Sequence, residues 1–362
     1  MKTKSLLIWG VILCLALLAG PVVSAPQAKA AKPIVLRVTD FYPEAHPIGQ
    51  GFRKFFMAEL EKKSGGQLKL DYYGQGTLVK ARDMFDATAA GTADIGNMVY
   101  AGSKVPLMYF QQLPGVYDDD EAVRAALAFW SVSKKYVAPL FEKKGLKLLY
   151  GFTTTGYQLM TTGTPVRSIA DMKGLKIRAS GSVLPNSVKA LGAVPVSMPA
   201  SDAYEAMERK VLDGIALAVP SVRSYSFYEL IKYATINANL GGYPIYYAMN
   251  LKTWKKLPAN LQKIINDMAT PVTAQTTEYY LNRVSVDLAD WKKKGIELIK
   301  LPKAEIKKAA KMLAPVWAKW VSGMQAKKMP MEALINDWKK ALAKEKLELD
   351  PELLSQLPWN KK

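Results

Sequence analysis

Residues 168–178, which read SIADMKGLKIR, are the stretch of sequence that decides the fold. Within it, Asp171–Gly174 has the composition of a turn, and Leu175–Arg178 follows as a short strand. The next residues predict a helix from Ser187 to Leu191 and a second extended piece at Val194–Val196. A strand, a helix and another strand in this order indicate an α/β fold with a parallel sheet.

Arg178 is the last residue of that predicted strand, and the residues after it, Ala179–Ser182, are small. An arginine in this position can lie in a cleft and offer its planar fork of donors to a carboxylate. Such a pairing adds geometric selectivity to charge attraction. The spacing by itself leaves a purely structural role for Arg178 open.

The first hundred residues follow the same alternating order. Ile34–Val38 and Leu68–Tyr73 have strand patterns, and the helical rhythm of Gly49–Lys63 lies between them. A second helix is expected to end at Gly91, before the short run Asp94–Asn97. Two such units in one chain predict two lobes, each with a mostly parallel sheet flanked by helices, and a cleft between them.

Two long helical patterns lie in the last third of the chain. Pro258–Lys294 contains no glycine and predicts either one very long helix kinked at Pro271 or two helices in sequence. The long version would act as a strut across both lobes. A second amphipathic stretch, Lys303–Met324, is expected to turn its apolar side to the core, through Ile306, Ala310, Leu313, Trp317 and Trp320.

Residues 1–30 have the features of a cleavable secretory signal, because two lysines precede the apolar run Leu6–Leu18. That run is too short to span a bilayer, which needs about 20 apolar residues. The only cysteine, Cys14, lies inside it, so the mature chain is expected to contain no disulfide. We therefore expect a periplasmic protein, and the remaining length favours two domains.

The formal net charge of +19 raises the question of nucleic-acid binding. Residues 291–362 hold 17 lysines against 8 acidic residues, and many of these lysines take the polar side of the predicted helix Lys303–Met324. A solvated helix face explains such a pattern better than a nucleic-acid or membrane surface. We expect no nucleic-acid partner, although the positive field would draw small anions toward the protein.

Catalytic chemistry has few candidates in this sequence. The only histidine, His46, has no serine nearby in a nucleophile-elbow context, and no phosphate-binding loop is present. Gly74–Gly76 is a plain turn, and Asp118–Glu121 is a helix start, since it lacks the alternating spacing of a calcium loop. We expect no enzyme activity, no cofactor and no metal. His46 follows the first strand and is either a helix-start residue or a ligand contact.

The stretch 168–178 resembles the signature of the solute-binding proteins of TRAP transporters, the tripartite ATP-independent periplasmic systems. Other elements similar to that family follow in the expected order across most of the mature chain. They are Ser64–Gly66, Gly91–Ile95, Met198–Tyr204, Val211–Gly214 and Lys256–Pro258.

The resemblance implies two α/β lobes that close over a ligand, with a long helix crossing both. It places lobe I at residues 31–155 plus about 243–283, and lobe II at 156–242 plus about 284–345 with the C-terminal helices. It also implies that Arg178 grips the carboxylate of a small organic acid. The partner would be a membrane permease driven by an ion gradient, and the binding protein would act as a monomer.

Departures from the family pattern indicate a pocket of low polarity. Gln158 stands near a position that often carries a second arginine, Leu217 replaces a polar residue, and Val99 replaces an acid found in some sugar-acid binders. We therefore expect a monocarboxylate with an apolar or aromatic body. The binding component of an ATP-driven importer remains the alternative. Aromatic residues that belong either to the pocket wall or to the core, and further candidates, are Phe41, Tyr73, Tyr100, Tyr157, His46 and Asn97.

Overall fold

Two sheets organise the computed structural model, which describes residues 32–349, 351–355 and 357–360 and, within them, has five strands in one sheet and six in the other. The strand order is β2-β1-β3-β10-β4 in the first sheet and β11-β9-β5-β8-β6-β7 in the second. In chain order the strands are β1 (Ile34–Thr39), β2 (Leu68–Tyr73), β3 (Ile95–Asn97), β4 (Leu146–Thr153), β5 (Gln158–Thr161), β6 (Lys176–Arg178), β7 (Val194–Val196), β8 (Gly214–Leu217), β9 (Tyr233–Thr235), β10 (Pro244–Asn250) and β11 (Glu297–Ile299).

Both sheets are mostly parallel, and each contains one antiparallel strand among the described residues. In the first sheet β1 pairs in parallel with β2 and β3, whereas β10 runs against β3 and β4. In the second sheet β6 pairs in parallel with β7 and β8, whereas β5 runs against β8 and β9. The α/β fold with a mostly parallel sheet in each lobe is therefore confirmed.

Helices cover the sheets and connect their strands. The predicted helix at 49–63 runs from Pro47 to Lys63, with a π-helical middle at Phe52–Met57. The α-helices are α1 (Pro47–Gly51), α2 (Ala58–Lys63), α3 (Met84–Ala90), α4 (Ala122–Tyr136), α5 (Ala138–Glu142), α6 (Leu184–Ala190), α7 (Ala203–Glu208), α8 (Val219–Val222), α9 (Leu251–Lys256), α10 (Ala259–Leu281), α11 (Arg283–Lys293), α12 (Lys303–Ala326), α13 (Met331–Lys344) and α14 (Pro351–Ser355).

Capping residues explain where several of these helices begin and end. Asp118 and Glu121 form a reciprocal capping box ahead of α4, which confirms that this acidic run is a helix start. Gly91 ends α3 with φ at 88°, a left-handed conformation that favours glycine. Gln75 and Gly76 also have positive φ, which confirms the turn predicted there.

Two extended segments carry the chain between the sheets. Residues 154–157 lead from β4 to β5, and residues 236–243 lead from β9 back to β10. The segments are hydrogen-bonded to each other, because Thr154 N–H donates to the Tyr243 carbonyl at 3.1 Å and Tyr157 N–H donates to the Gly241 carbonyl at 2.9 Å. They form a hydrogen-bonded pair of connections between the two sheets.

The helical pattern of residues 258–294 resolves into two helices in sequence, α10 and α11, which meet at Asn282. Pro271 lies inside α10 and is not the break. The helix α10 packs on α4 and β4 of the first sheet, whereas α11 packs on α8 and β11 of the second. This pair is the helical connection that crosses both lobes.

The C-terminal helices return across the molecule. The helix α12 packs against α6 beside the second sheet, and α13 packs against α4 beside the first. The Trp317 indole N–H in α12 donates to the Pro114 carbonyl at 3.1 Å. The expectation that Ile306 faces the core was wrong: it is 41% exposed, because it lies in the first turn of α12, where the helix borders a surface groove.

The predicted signal segment, residues 1–30 with Cys14, lies outside the described residues. In the part of the chain that the structure describes, no helix combines the length and apolar character that crossing a membrane would require. The lobe boundaries given above stay a prediction.

Candidate functional site

A small cavity lies where the carboxyl ends of strands from both sheets meet, and its volume is about 30 Å³. Phe41 and Tyr100 reach it from the loops after β1 and β3, Arg178 from the end of β6, and Leu217 from the end of β8. Ligands of open α/β sheets bind at this edge, because the loops there are free to carry side chains of any chemistry. The cavity is therefore the candidate site.

Arg178 provides the charge in this cavity and is only 2% exposed. Its Nε donates to the Met198 carbonyl at 3.0 Å, and one terminal nitrogen, Nη2, donates to Ser180 Oγ at 2.8 Å. The other, Nη1, is buried and has no hydrogen-bond partner among the described residues. Within the same residues, Arg178 forms no ion pair. The guanidinium is thus held in place by neutral groups and retains capacity for an anion.

His46 adds an uncharged donor to the cavity. It is 1% exposed, and its Nδ1 accepts the Ile48 N–H at 3.2 Å, which caps the start of α1. Burial lowers the pKa of the imidazole to about 3. The neutral ring carries one proton, and since Nδ1 is an acceptor this proton is on Nε2. Nε2 is buried without a partner among the described residues.

Aromatic rings form most of the remaining wall. Tyr42 stacks on His46 with ring centroids 4.1 Å apart, and Phe41 lies 5.5 Å from Tyr100. Tyr225 approaches His46 edge-on at 5.4 Å. Such offset and edge arrangements are those that aromatic rings prefer, so the wall is packed before any aromatic ligand joins it.

Three phenols that line the cavity, those of Tyr157, Tyr225 and Tyr243, stay neutral at physiological pH. Burial raises the pKa of Tyr157 and of Tyr225, although the nearby Arg178 guanidinium lowers both in part. Burial likewise raises the pKa of Tyr243 to about 12. Neutral phenols both donate and accept hydrogen bonds. Arg178 therefore contributes the only charge among the residues that line the cavity in the described structure.

Asp40 lies directly behind the aromatic wall, in the loop that follows β1, and is fully buried. Its carboxylate accepts the Phe41 N–H at 2.8 Å and the Tyr247 hydroxyl at 2.7 Å. Burial raises the pKa of this carboxyl to about 6, although those hydrogen bonds and the Arg53 charge oppose the rise. Asp40 thus fixes the backbone from which the wall projects.

Gln112 holds the loop that follows Arg178. Its buried side-chain amide donates to the Ser180 carbonyl at 3.1 Å, and its side-chain oxygen accepts the Val183 N–H at 3.1 Å. The chain passes so close that a Cβ on Gly181, whose φ is +94°, would lie 2.2 Å from the Gln112 amide. Because Ser180 in turn bonds to Arg178, this amide orients the guanidinium indirectly.

Of the sequence-predicted site residues, the structure brings six together around the cavity: Phe41, His46, Tyr100, Tyr157, Arg178 and Leu217. Three others do not line it. The Gln158 side chain turns to the crossing segments, where it contacts Gly156 and Asn239. Tyr73 ends the edge strand β2 and is 38% exposed. Asn97 is buried and accepts the Val99 N–H at 3.0 Å within its own turn.

Sequence reasoning missed several lining residues. Tyr225 and Ser221 belong to a region of short helices after β8 in which no periodic pattern marks a site. Tyr243 lies next to β10, whose residues read as core. Ser180 was within reach of prediction, because it belongs to the small-residue run that follows Arg178. The other missed lining residues include Tyr42, Thr154 and Ala200.

Comparison with known families and proteins finds a broad match. The sequence model of the family described as bacterial extracellular solute-binding protein, family 7, matches residues 38–323. The C4-dicarboxylate-binding periplasmic protein DctP of Rhodobacter capsulatus is 28% identical over 255 residues, which are 69% of this chain and 73% of that protein.

Solved structures have the same architecture. A TRAP periplasmic solute binding protein from Desulfovibrio salexigens, crystallised as an open complex, superposes with a TM-score of 0.74 at 29% identity, covering 87% of this chain and 97% of that one. A TRAP solute binding protein from Rhodoferax ferrireducens, in complex with copurified benzoate, has a TM-score of 0.81 at 21% identity, with 86% and 98% coverage. At that lower identity the likeness concerns the fold alone.

Proposed function

The chain belongs to family 7 of the bacterial extracellular solute-binding proteins, which includes the TRAP solute-binding proteins, and we propose that its own ligand is a monocarboxylate with an aromatic body. In this proposal Arg178 binds the carboxylate and the aromatic wall holds the ring. The family and the fold are those of binding proteins, not of enzymes. The match also favours a TRAP system over the binding component of an ATP-driven importer.

The state of Arg178 is the observation that carries this proposal. A buried guanidinium with one unpartnered nitrogen and no ion pair within the described chain is costly unless an anion completes it. A carboxylate can accept from two guanidinium nitrogens at once, which suits the planar fork. The neutral bonds from Met198 and Ser180 hold the fork without cancelling its charge.

The aromatic wall supports the second half of the proposal. Tyr42, Tyr100, Tyr157 and Tyr225 surround the cavity together with Phe41, and no acidic side chain lines it among the described residues. Aromatic surfaces favour a planar apolar body through offset and edge contacts. A second carboxylate would find no second cation among the described residues that line the cavity, where only neutral donors such as the His46 Nε2–H remain.

The size of the cavity adds a requirement for motion. About 30 Å³ holds little more than one water molecule, whereas small-molecule pockets typically measure roughly 300–1,000 Å³. An aromatic acid therefore needs the two sheets to move apart. In this proposal the movement occurs in the extended segments 154–157 and 236–243, which connect the sheets. Ligand binding and lobe movement are coupled, because each state offers the ligand different contacts.

The remaining proposals concern export, the lobe boundaries and transport across the membrane. We propose that residues 1–30 direct export to the periplasm, that lobes I and II follow the boundaries given above, and that the loaded monomer delivers its solute to a membrane permease driven by an ion gradient. N-terminal sequencing of the exported protein would test the first point. Uptake by liposomes that contain the cognate membrane subunits would test the last.

Titration calorimetry with benzoate, succinate and glucuronate tests the ligand class. We expect benzoate to bind at least tenfold more tightly than the dicarboxylate or the sugar acid. The Arg178→Ala variant should lose binding by more than a hundredfold, with an unchanged circular-dichroism spectrum as its folding control. A preference for succinate or glucuronate would contradict the aromatic assignment, and unchanged affinity in the variant would contradict the role of Arg178. Mass spectrometry of copurified small molecules gives an independent check.

A further inference from the structure

A second and larger chamber lies beside the Arg178 cavity, with a volume of about 510 Å³. Residues from the first sheet's loops, including Tyr100 and Tyr109, form one side of it, and the loop Ser180–Ser182 forms another. The helix α12 borders it through Trp320 and Met324, and the C-cap residue of that helix, Lys327, also lines it. We call this space the outer chamber. It is roomy enough for a small aromatic acid in the conformation described here.

The outer chamber is cationic. Arg82 and Lys327 both line it and are both exposed, and neither side chain forms an ion pair or hydrogen bond in the described part of the chain. No acidic residue lines the chamber among the described residues. Two unpaired cations facing one space, without a counter-charge, produce a local positive potential that concentrates small anions.

Neutral hydrogen-bond donors in the wall of the outer chamber also favour an anion there. The Trp320 indole N–H is buried in a residue that is only 7% exposed, and it has no hydrogen-bond partner among the described residues. The Ser182 hydroxyl oxygen is also buried and likewise has no hydrogen-bond partner among those residues. Buried donors without acceptors destabilise the conformation that contains them. A carboxylate in the outer chamber is a partner of the right chemistry for both.

Two residues are shared by the outer chamber and the Arg178 cavity, namely Tyr100 and Ser180. The Tyr100 hydroxyl accepts the Ala200 N–H at 3.2 Å, which ties a loop of the first sheet to a loop of the second. Ser180 Oγ accepts from Arg178. Movement of the Tyr100 ring, once its hydroxyl leaves Ala200, would connect the two spaces.

We propose that the outer chamber is a second binding site for organic anions, in which the solute is held before it passes Tyr100 to reach Arg178. The inference takes only the class of ligand from the proposed function. Binding therefore has two steps, a rapid electrostatic capture followed by a slower transfer that accompanies lobe movement.

Crystals soaked with 4-iodobenzoate locate both sites directly, because iodine gives an anomalous signal. We expect the Arg178→Ala variant to show iodine in the outer chamber with the carboxylate near Arg82 or Lys327. Iodine in the inner cavity of the wild-type protein, together with an empty outer chamber in the variant, would overturn the inference and leave the proposed function standing. Iodine only in the outer chamber of both proteins would support the inference and contradict the proposed function. Absence from both proteins would overturn the inference.

Stopped-flow tryptophan fluorescence with benzoate tests the order of events. In the wild-type protein the observed rate should saturate as benzoate rises, since the second step becomes limiting. The double variant Arg82→Glu with Lys327→Glu should raise the half-saturating concentration about tenfold, and added salt should have less effect on it. A linear concentration dependence in the wild-type protein would contradict the two-step scheme.

A matched double variant distinguishes anion binding by the outer chamber from attraction by the net positive charge of the whole protein. Lys189 and Lys319 are also exposed, and Lys319 lies in α12, the helix that Lys327 caps, but neither lines the outer chamber. Their replacement by Glu changes the net charge equally and should leave the half-saturating concentration within about twofold. An equal effect of both double variants would assign the attraction to the whole surface and overturn the inference.

Discussion

The two walls of the Arg178 cavity differ in chemistry. The wall from the first sheet is aromatic and uncharged, and among the described residues its fully buried donor without a partner is the His46 Nε2–H. The wall from the second sheet contains the cation, the hydroxyl groups of Ser180 and Ser221, and a single ring from the residues after β8, that of Tyr225. If the proposed function is right, the second wall selects the charge of the ligand and the first wall selects its body, so the two properties can be altered separately.

Among the substitutions that test this division between the two walls, Arg178→Lys should cause the largest loss of benzoate affinity. A lysine retains the positive charge but cannot bond to Met198, Ser180 and a carboxylate with one planar fork. We expect benzoate affinity to fall about a hundredfold, or about 3 kcal/mol, which is the upper range for hydrogen bonds to charged groups. Calorimetry measures this loss. Full affinity in the lysine variant would show that charge alone selects the ligand.

Removing a ring from the first wall should have the next largest effect. Phe41→Ala deletes a side chain that lies 5.5 Å from Tyr100, and we expect benzoate affinity to fall roughly tenfold. Acetate, which has no ring, should lose almost nothing. Phe41→Leu is the matched control, because it retains apolar volume without the ring. Equal losses for benzoate and acetate would mean that the wall does not recognise the body.

Substitution of His46 should have a smaller effect on affinity, mainly for ligands that carry a hydroxyl group in addition to the carboxylate. His46→Ser retains a helix-capping oxygen but removes the Nε2–H, whereas His46→Asn retains a cap and an N–H donor. We expect 3-hydroxybenzoate to bind about three- to tenfold more weakly to the serine variant, a neutral hydrogen bond's contribution, with less change for benzoate.

The pH dependence checks the charge state assigned to His46. Because its pKa lies near 3, the ring stays neutral from pH 5 to pH 8. The ratio of wild-type to His46→Asn affinity should therefore be constant over that range in calorimetric titrations. A ratio that changes around pH 6 to 7 would indicate that the histidine titrates in the folded protein.

The smallest effect is expected at Tyr73. This residue was a candidate for the pocket wall by sequence, yet it ends an edge strand, is half-exposed and does not line the cavity. Tyr73→Ala should leave benzoate affinity within about twofold. A loss comparable with that of Phe41→Ala would mean that the first wall extends to β2 in the ligand-bound state.

Elements with strong local patterns were predictable from sequence. The strand at Leu68–Tyr73 and the end of α3 at Gly91 agree with the structure, since alternation and a left-handed glycine are local properties. The break between α10 and α11 was not predictable, because Pro271 marks a possible kink and Asn282 gives no such signal. Which helix faces touch which sheet depends on contacts far apart in the chain.

The candidate site likewise contains some residues that the sequence could identify and others that it could not. Arg178 could be singled out because a charged residue at the end of a short strand, followed by small residues, can lie in a cleft. The aromatic wall could not be delimited, since Tyr73 and Tyr100 look alike until the register of β2 and the loop after β3 are known. Tyr225 and Gln112 lack any local signal, because their positions depend on how distant loops meet.

The buried carboxyl of Asp40 makes this fold more resistant to acid than its many surface carboxylates alone would. In the unfolded chain the group titrates near 3.8, whereas in the fold its pKa is about 6. Between those values the native protein binds a proton that the unfolded chain has released. The resulting stabilisation is complete below 3.8 and disappears as the pH rises through about 6. Mild acidification from neutral pH therefore raises the free energy of unfolding through this one buried group.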